Sequence, residues 1–417
     1  MSKHNVNLDI LRGVAASIVV YRHLSDSAPS FDAKHSVNNF FHYYPPGVLA
    51  VLVFFIMSGY VIGYNHPWLN SKELIYDYIK KRLVRIVPIY FVAILFTAIV
   101  THGVYGWKIY LSNLFFISVP ADNVIWEASP LWSLQYELLY YFVFILFSYY
   151  RVNLGKTIML LLLLIGVLFA GSHYVTVHPL IISVLVGFLF WITGVLIAQK
   201  FTSYNWNISH SRILSVFILI FCLVYFNPYN QVLKLLRLHE VDYSAYSWDQ
   251  QSLSYNHLFY YPLAIVLILA LIHGYSKYSG LFIAFLFTCA LGRLVSILIV
   301  YNRDFLVKEG YIFPSIVLLS SVVLWLLNCR FDRRIVKVMK SVWPLSMIAY
   351  ALYIIHKPLL HAFGHFNVSS EFGFVLKLLA YVLTLLLISY CLEVRFQRWV
   401  KGFFFKKRKV RVAEPAG

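Results

Sequence analysis

Four stretches of this chain place ionisable or hydrogen-bonding side chains inside sequence that is otherwise apolar. The first is LDILRGVAASIVVYRHLSD at 8–26, with Asp9, Arg12, Arg22 and His23 on what otherwise reads as a membrane helix. Arg12 and His23 are eleven residues apart, which at about 100° per residue is three turns and about 20°, so both lie on one face. Asp9, three residues before Arg12, shares that stripe. The rise from Arg12 to His23 is roughly 16 Å, which puts them at opposite ends of the helix. Arg22 is turned about 100° away and sits late enough to snorkel, a structural role.

The second stretch is PLWSLQYELLYY at 130–141, where Ser133 and Glu137 are four apart and share a face. Their expected depth matches that of His23. A histidine held by a carboxylate is a common general base near neutral pH. A structural buried pair is the competing reading, and spacing does not separate the two. The third stretch, RLVR at 82–85, sets Arg82 and Arg85 on one face at the mouth of a span. A solvated positive flank is the ordinary reading; two guanidiniums at a pocket entrance also hold phosphates in bidentate fashion. The fourth, FFIMSGY at 54–60, has Ser58 and Gly59 in an apolar span. A small pair there lets a helix or a ligand come close.

The elements that must position these groups follow from composition. The chain has 417 residues, of which 60% are apolar and 12% charged, with a mean hydropathy of +0.72. Soluble domains carry about twice that share of charge. Apolar runs of membrane-spanning length recur from end to end, which predicts an all-α polytopic membrane protein of about ten to twelve helices. The expected spans are 8–24, 46–63, 86–103, 131–150, 157–174, 178–198, 212–227, 257–273, 280–300, 311–328, 344–363 and 374–394. Residues 1–395 form one membrane domain and 396–417 a basic tail.

The net charge is +18, but its distribution points to orientation and away from nucleic acid. Basic residues gather at 72–85, at 330–340 and after Glu393, whereas 25–45 holds only Lys34 and 104–130 only Lys108. Positive segments stay in the cytoplasm, so both termini are expected there. No cleavable signal peptide is expected. Cys222, Cys289, Cys329 and Cys391 are scattered and read as small buried hydrophobes, with no disulfide framework or metal-ligand spacing. The polar, aromatic segment 228–256 either covers a sugar-binding mouth or packs on the bundle.

Together these stretches resemble the acyltransferase-3 family of integral membrane O-acyltransferases. The family's basic residue and histidine in the first helix correspond to Arg12 and His23. Its FFxxSG matches Phe54, Phe55, Ser58 and Gly59, its RxxR matches Arg82 and Arg85, and its SxxxE matches Ser133 and Glu137. SMIAYALYIIHKP at 346–358 is similar to the family's late helix, with Ser346, Tyr350, Tyr353 and His356. The resemblance spans about residues 5–395, with 155–310 matched by hydropathy alone.

The resemblance implies transfer of an acyl group, acetyl by default, from cytoplasmic acyl-CoA to a hydroxyl of an extracytoplasmic or lipid-linked saccharide. O-antigen, the outer part of lipopolysaccharide, and exopolysaccharide are examples, and a bacterial inner membrane is the implied location. His23 is then the expected base, oriented by Glu137, with Ser133 at the oxyanion. Arg12, Arg82, Arg85, Ser58 and Gly59 are expected along the acyl-CoA path, and Asp9, Trp132 and Tyr136 at the acceptor. Direct transfer and an acyl-enzyme on Ser133 or His23 both remain open. The expected partners are membrane lipids and the saccharide, with no metal; oligomeric state is not legible. A transporter or flippase for a lipid-linked saccharide is the rival reading, and a polytopic scaffold locked by the polar stripe is a third. Transporters often show inverted repeats, and none is evident in the sequence.

Overall fold

The computed structural model describes residues 6–27, 31–32, 45–66, 68–172, 174–175, 177–201, 208–226, 241, 243–247, 250–272, 279–300, 312–327 and 332–405. Among them no strand occurs. The helices in chain order are α1 (Val6–Asp26), α2 (Gly47–Asn65), α3 (Lys72–Val100), α4 (Trp107–Leu114), α5 (Trp132–Tyr149), α6 (Leu154–Gly171), α7 (Pro179–Lys200) and α8 (His210–Tyr225). They continue with α9 (Tyr260–Leu271), α10 (Ser279–Val300), α11 (Ile312–Leu327), α12 (Asp332–Ser346), α13 (Ala349–Gly364), α14 (Glu371–Tyr390) and α15 (Gln397–Phe404). A 3-10 turn, Trp126–Leu131, leads into α5, and a π turn, Cys391–Phe396, joins α14 to α15.

Each of the twelve expected spans holds a helix. Among the described residues, seven helical stretches are long and apolar enough to cross a membrane, or eight if the bent pair α12–α13 is one span. That is fewer than ten to twelve because α1 is interrupted by its charges and three further apolar helices are short. The bundle's outer surface is apolar: Met159, Leu160 and Leu163 on α6 are exposed, as a lipid-facing helix requires. Ser71, Asn153, Ser209 and Ser370 cap α3, α6, α8 and α14, each accepting a hydrogen bond from the backbone N–H three residues on.

Three features set the frame of the polar interior. First, α2 and α7 pack backbone to backbone. A Cβ on Gly59 would lie 1.8 Å from the Trp191 carbonyl oxygen, and one on Gly194 2.0 Å from that of Ile56. Small residues are what allow this approach. Second, Pro88 lies inside α3 and cannot donate to the carbonyl of Val84 four residues back. The side-chain amide of Gln397 on α15 donates to that carbonyl instead, at 2.7 Å. Third, α12 and α13 meet at a 66° break. Glu393, on the π turn, accepts hydrogen bonds from the backbone N–H groups of Tyr350 and Ala351, each at 2.9 Å. It thereby satisfies the bare N-terminus of α13.

Some expectations change. Cys222 is buried as expected, but Cys289 and Cys391 are exposed on the bundle surface. There a thiol meets lipid at no greater cost than a packed interior would impose. Residues 332–346, expected mostly as loop, are helical, and the tail's first residues continue as α15, with Gln397 buried. Cys329, Arg330, most of 228–249 and the tail from 406 lie outside the described residues.

Candidate active site

One cavity runs between α1, α2, α3, α5 and α13. It is lined by Arg12, Val51, Phe54, Phe55, Met57, Ser58, Val61, Arg82, Arg85, Ile86, Ser133, Leu134, Glu137, Tyr141, Ala349, Tyr350 and Tyr353, and with its open mouth it holds about 760 Å³. Six of the residues expected to act at the site therefore share one space, Arg12, Ser58, Arg82, Arg85, Ser133 and Glu137, together with the motif residues Phe54, Phe55, Tyr350 and Tyr353. Three guanidiniums face a single carboxylate in that lining, so the space suits an anion.

The arginines differ in how they are held. Arg12 is 3.6 Å from Asp9, which shares its stripe on α1. Arg82 stands over the rings of Tyr78 and Tyr141, 5.7 and 5.8 Å from the centroids. Its Nε is buried without a hydrogen-bond partner among the described residues. A buried N–H of this kind is rare unless a ligand or water completes it. Tyr350 closes the wall beside Arg85 by donating its hydroxyl to the Ile86 carbonyl at 2.9 Å.

Glu137 accepts hydrogen bonds from the hydroxyls of Ser58 and Tyr141. Those two hydroxyls are 3.1 Å apart, and Trp191 Nε1 donates to Ser58 Oγ at 3.3 Å. Further along α13, Tyr353 OH is 2.9 Å from Ser133 Oγ and 3.0 Å from the Pro130 carbonyl, to which Ser133 Oγ also donates at 3.1 Å. Ser133 is thus bounded by a phenol and a carbonyl, neither of them a base.

His23 is not in this lining. Its ring packs on that of His356, centroids 5.2 Å apart, and His356 in turn neighbours Tyr353 at 6.2 Å. The expected contact between His23 and Glu137 is corrected here: the carboxylate is taken by Ser58 and Tyr141, and the histidine by His356. Helical spacing fixes depth along an axis but not which neighbour a face meets. The principal neighbours of α1 are α2, α12 and α13, so His23 meets the late helix. The other expected residues also lie elsewhere. Gly59 faces the α7 backbone. Trp132 and Tyr136 are buried in a ring cluster, with centroids 5.2 Å apart and Tyr136 OH donating to Ser183 Oγ at 3.0 Å. Asp9 stays at the arginine end.

A second polar group lies next to His356 along the chain, outside the cavity lining. Lys357, buried, donates to Ser129 Oγ at 2.6 Å and lies 3.7 Å from the Trp126 ring centroid. Tyr105 donates to Glu127 Oε2 at 2.8 Å, and burial, with that hydrogen bond, pushes the phenol up to about 12. Tyr141, Glu393 and Gln397 were missed from sequence. Tyr141 had a signal, standing four residues after Glu137. Glu393 had one too, as a lone acid ending an apolar span. Among the described residues no three His, Cys, Asp or Glu side chains converge as a metal site.

A family model described as an acyltransferase domain matches residues 5–286. No curated protein and no solved structure matches the chain. The matched stretch contains α1 to α9 and part of α10; Tyr350, Tyr353, His356 and Glu393 lie beyond it.

Proposed function

The chain belongs to the acyltransferase-3 family, and from that premise we propose that it moves an acyl group, acetyl by default, from acyl-CoA to a hydroxyl of an extracytoplasmic or lipid-linked saccharide such as O-antigen or exopolysaccharide. The observation that carries the donor assignment is the unpartnered Nε of Arg82, buried in a cavity it shares with Arg12 and Arg85. Guanidiniums in that setting match the phosphates of a nucleotide thioester. The pantetheine arm then follows the apolar wall past Phe54, Met57 and Ser58, and the thioester reaches the level of Ser133 and Tyr353.

Chemistry follows in one exchange. The acceptor oxygen attacks the thioester carbonyl carbon, its proton passes to His23, the C–S bond breaks, and the CoA thiolate recovers the proton. General-base help of this kind contributes about 10²–10⁴-fold. The hydroxyls of Ser133 and Tyr353, whose hydrogens rest on the Pro130 carbonyl in the free protein, turn from it to donate to the oxyanion as that charge forms. Glu137 holds Ser58 and Tyr141 rigid along the arm. Direct transfer is favoured over an acyl-serine because no base lies among the partners of Ser133. In this reading the arginine end opens to the cytoplasm of a bacterial inner membrane and the histidine end faces the acceptor.

The test uses purified protein in lipid nanodiscs with CoA as the probe. Arg82→Ala is expected to weaken CoA binding about 30-fold or more, the scale on which loss of a buried charged contact acts, with Arg82→Lys restoring little of it. In cells, NMR of the surface glycan is expected to lose its acetyl ester in His23→Ala while glycan export stays normal. Lost export with intact ester overturns the proposal in favour of a transporter.

A further inference from the structure

His356 is fully buried, at 0% exposure. Its Nδ1 is 2.8 Å from the carbonyl oxygen of Tyr353. A carbonyl only accepts, so Nδ1 carries the hydrogen and Nε2 is left as a bare lone pair. That Nε2 is buried and has no hydrogen-bond partner among the described residues. Buried acceptors are nearly always satisfied, so an open one beside a candidate reaction centre asks which donor completes it.

The ring beside it is His23, 5.2 Å away between centroids and tilted by 33°, a separation that one N–H···N hydrogen bond can span. His23 itself makes no side-chain hydrogen bond among the described residues. A base needs one ring nitrogen free and its other nitrogen held as N–H, because an imidazole that can turn presents the wrong tautomer part of the time. The carboxylate that such a histidine usually leans on is committed here to Ser58 and Tyr141.

We propose that His356 is the positioning residue for His23: its Nε2 accepts the N–H of His23, and so presents the other His23 nitrogen, unprotonated, to the acceptor hydroxyl. A turn of the His23 ring about χ2 closes the bond, terminal ring torsions being broad and soft. The chain of donors runs from His23 through His356 to the Tyr353 carbonyl. During transfer the hydroxyl proton enters the free nitrogen of His23 and leaves to the departing thiolate, while His356 stays neutral. This inference rests on the acyl-transfer reading above, and the experiment separates the two.

The full chain is made as wild type, His356→Gln, His356→Leu and His23→Ala, with surface-glycan acetyl ester measured per unit of protein in cells. The purified proteins, with ¹⁵N-labelled histidine, are read by NMR for the His23 tautomer, and CoA binding is measured on each. A glutamine places an amide oxygen where Nε2 was, whereas leucine fills the space without an acceptor. His356→Leu is expected to lose about 10–100-fold in ester, the usual cost of removing an orienting partner. His356→Gln should recover most of it, and CoA binding should not change. The single His23 tautomer should persist in His356→Gln and become mixed in His356→Leu.

Full acetylation by His356→Leu alongside a silent His23→Ala overturns this inference and leaves the acyl-transfer reading standing. Full acetylation by His23→Ala overturns the base assignment itself, and this inference with it. Should the leucine variant fail to accumulate, His356→Gln decides: ester lost with the His23 tautomer unchanged shows a residue that only packs.

Discussion

At the scale of single residues, the difference between a nucleophile and a hydrogen-bond donor rests on what each hydroxyl touches. Ser133 Oγ meets Tyr353 OH and the Pro130 carbonyl, so nothing draws its proton away. Ser133→Ala is therefore expected to slow transfer by about 10²–10³-fold, the range of one lost oxyanion donor. It should trap no label, since the wild type should carry no acetyl on protein after acid quench with labelled acetyl-CoA. Acetyl recovered on a Ser133 peptide sinks direct transfer. The residues of this site were legible in sequence to an uneven degree. Arg12, Arg82, Arg85, Ser58, Ser133 and Glu137 stood out because charge and hydroxyls are costly in apolar spans, and they do share a cavity. The neighbour of His23 was not legible, because a wheel reports depth and face but not which helix is packed there.

Among elements, the bends matter more than the lengths. Pro88 frees the Val84 carbonyl inside α3, and Gln397 answers it from α15, so a helix carrying two of the arginines is pinned by the last helix. Gln397→Leu leaves that carbonyl buried and bare and is expected to destabilise the protein by about 1–3 kcal/mol, read as a lower Tm in detergent with CoA binding weakened in parallel. His66, just past the end of α2, offers a pH test. Burial, then Arg82 and Lys81, hold its imidazole down at about 4, below the ordinary 6.5. Keeping His66 neutral thus stabilises the fold fully above pH 6.5, and this is lost as acidification proceeds towards pH 4. His66→Gln should show a smaller fall in Tm over that window than the wild type. Helix positions were readable from hydropathy. The breaks were not: the 66° bend at 347–348 has no glycine or proline at its centre, and it depends on Glu393, distant in sequence.

For the molecule as a whole, apolar composition and recurrent runs were enough to give an all-helical membrane bundle, in which Arg12, Ser58, Arg82, Arg85, Ser133 and Glu137 line one cavity and His23 lies outside its lining. What composition could not supply was the order of neighbours: α1 packs on α2, α12 and α13, joining the beginning of the chain to its end. Sidedness is open to a direct check. Cysteines at exposed Lys401 and Trp126 are expected to react with an impermeant maleimide from opposite faces of the membrane, Lys401→Cys from the cytoplasmic one. Labelling of both from one face overturns the orientation argued above. The contacts of Glu393 and Gln397 have a further consequence for anyone cutting the gene. A chain stopped after Tyr390 would still encode every guanidinium, imidazole and hydroxyl of the proposed reaction, yet it would lose the two side chains that brace the late break and the proline-bearing helix. Such a fragment should reach the membrane and be inert, and supplying the missing final helix as a separate peptide is a way to revive it.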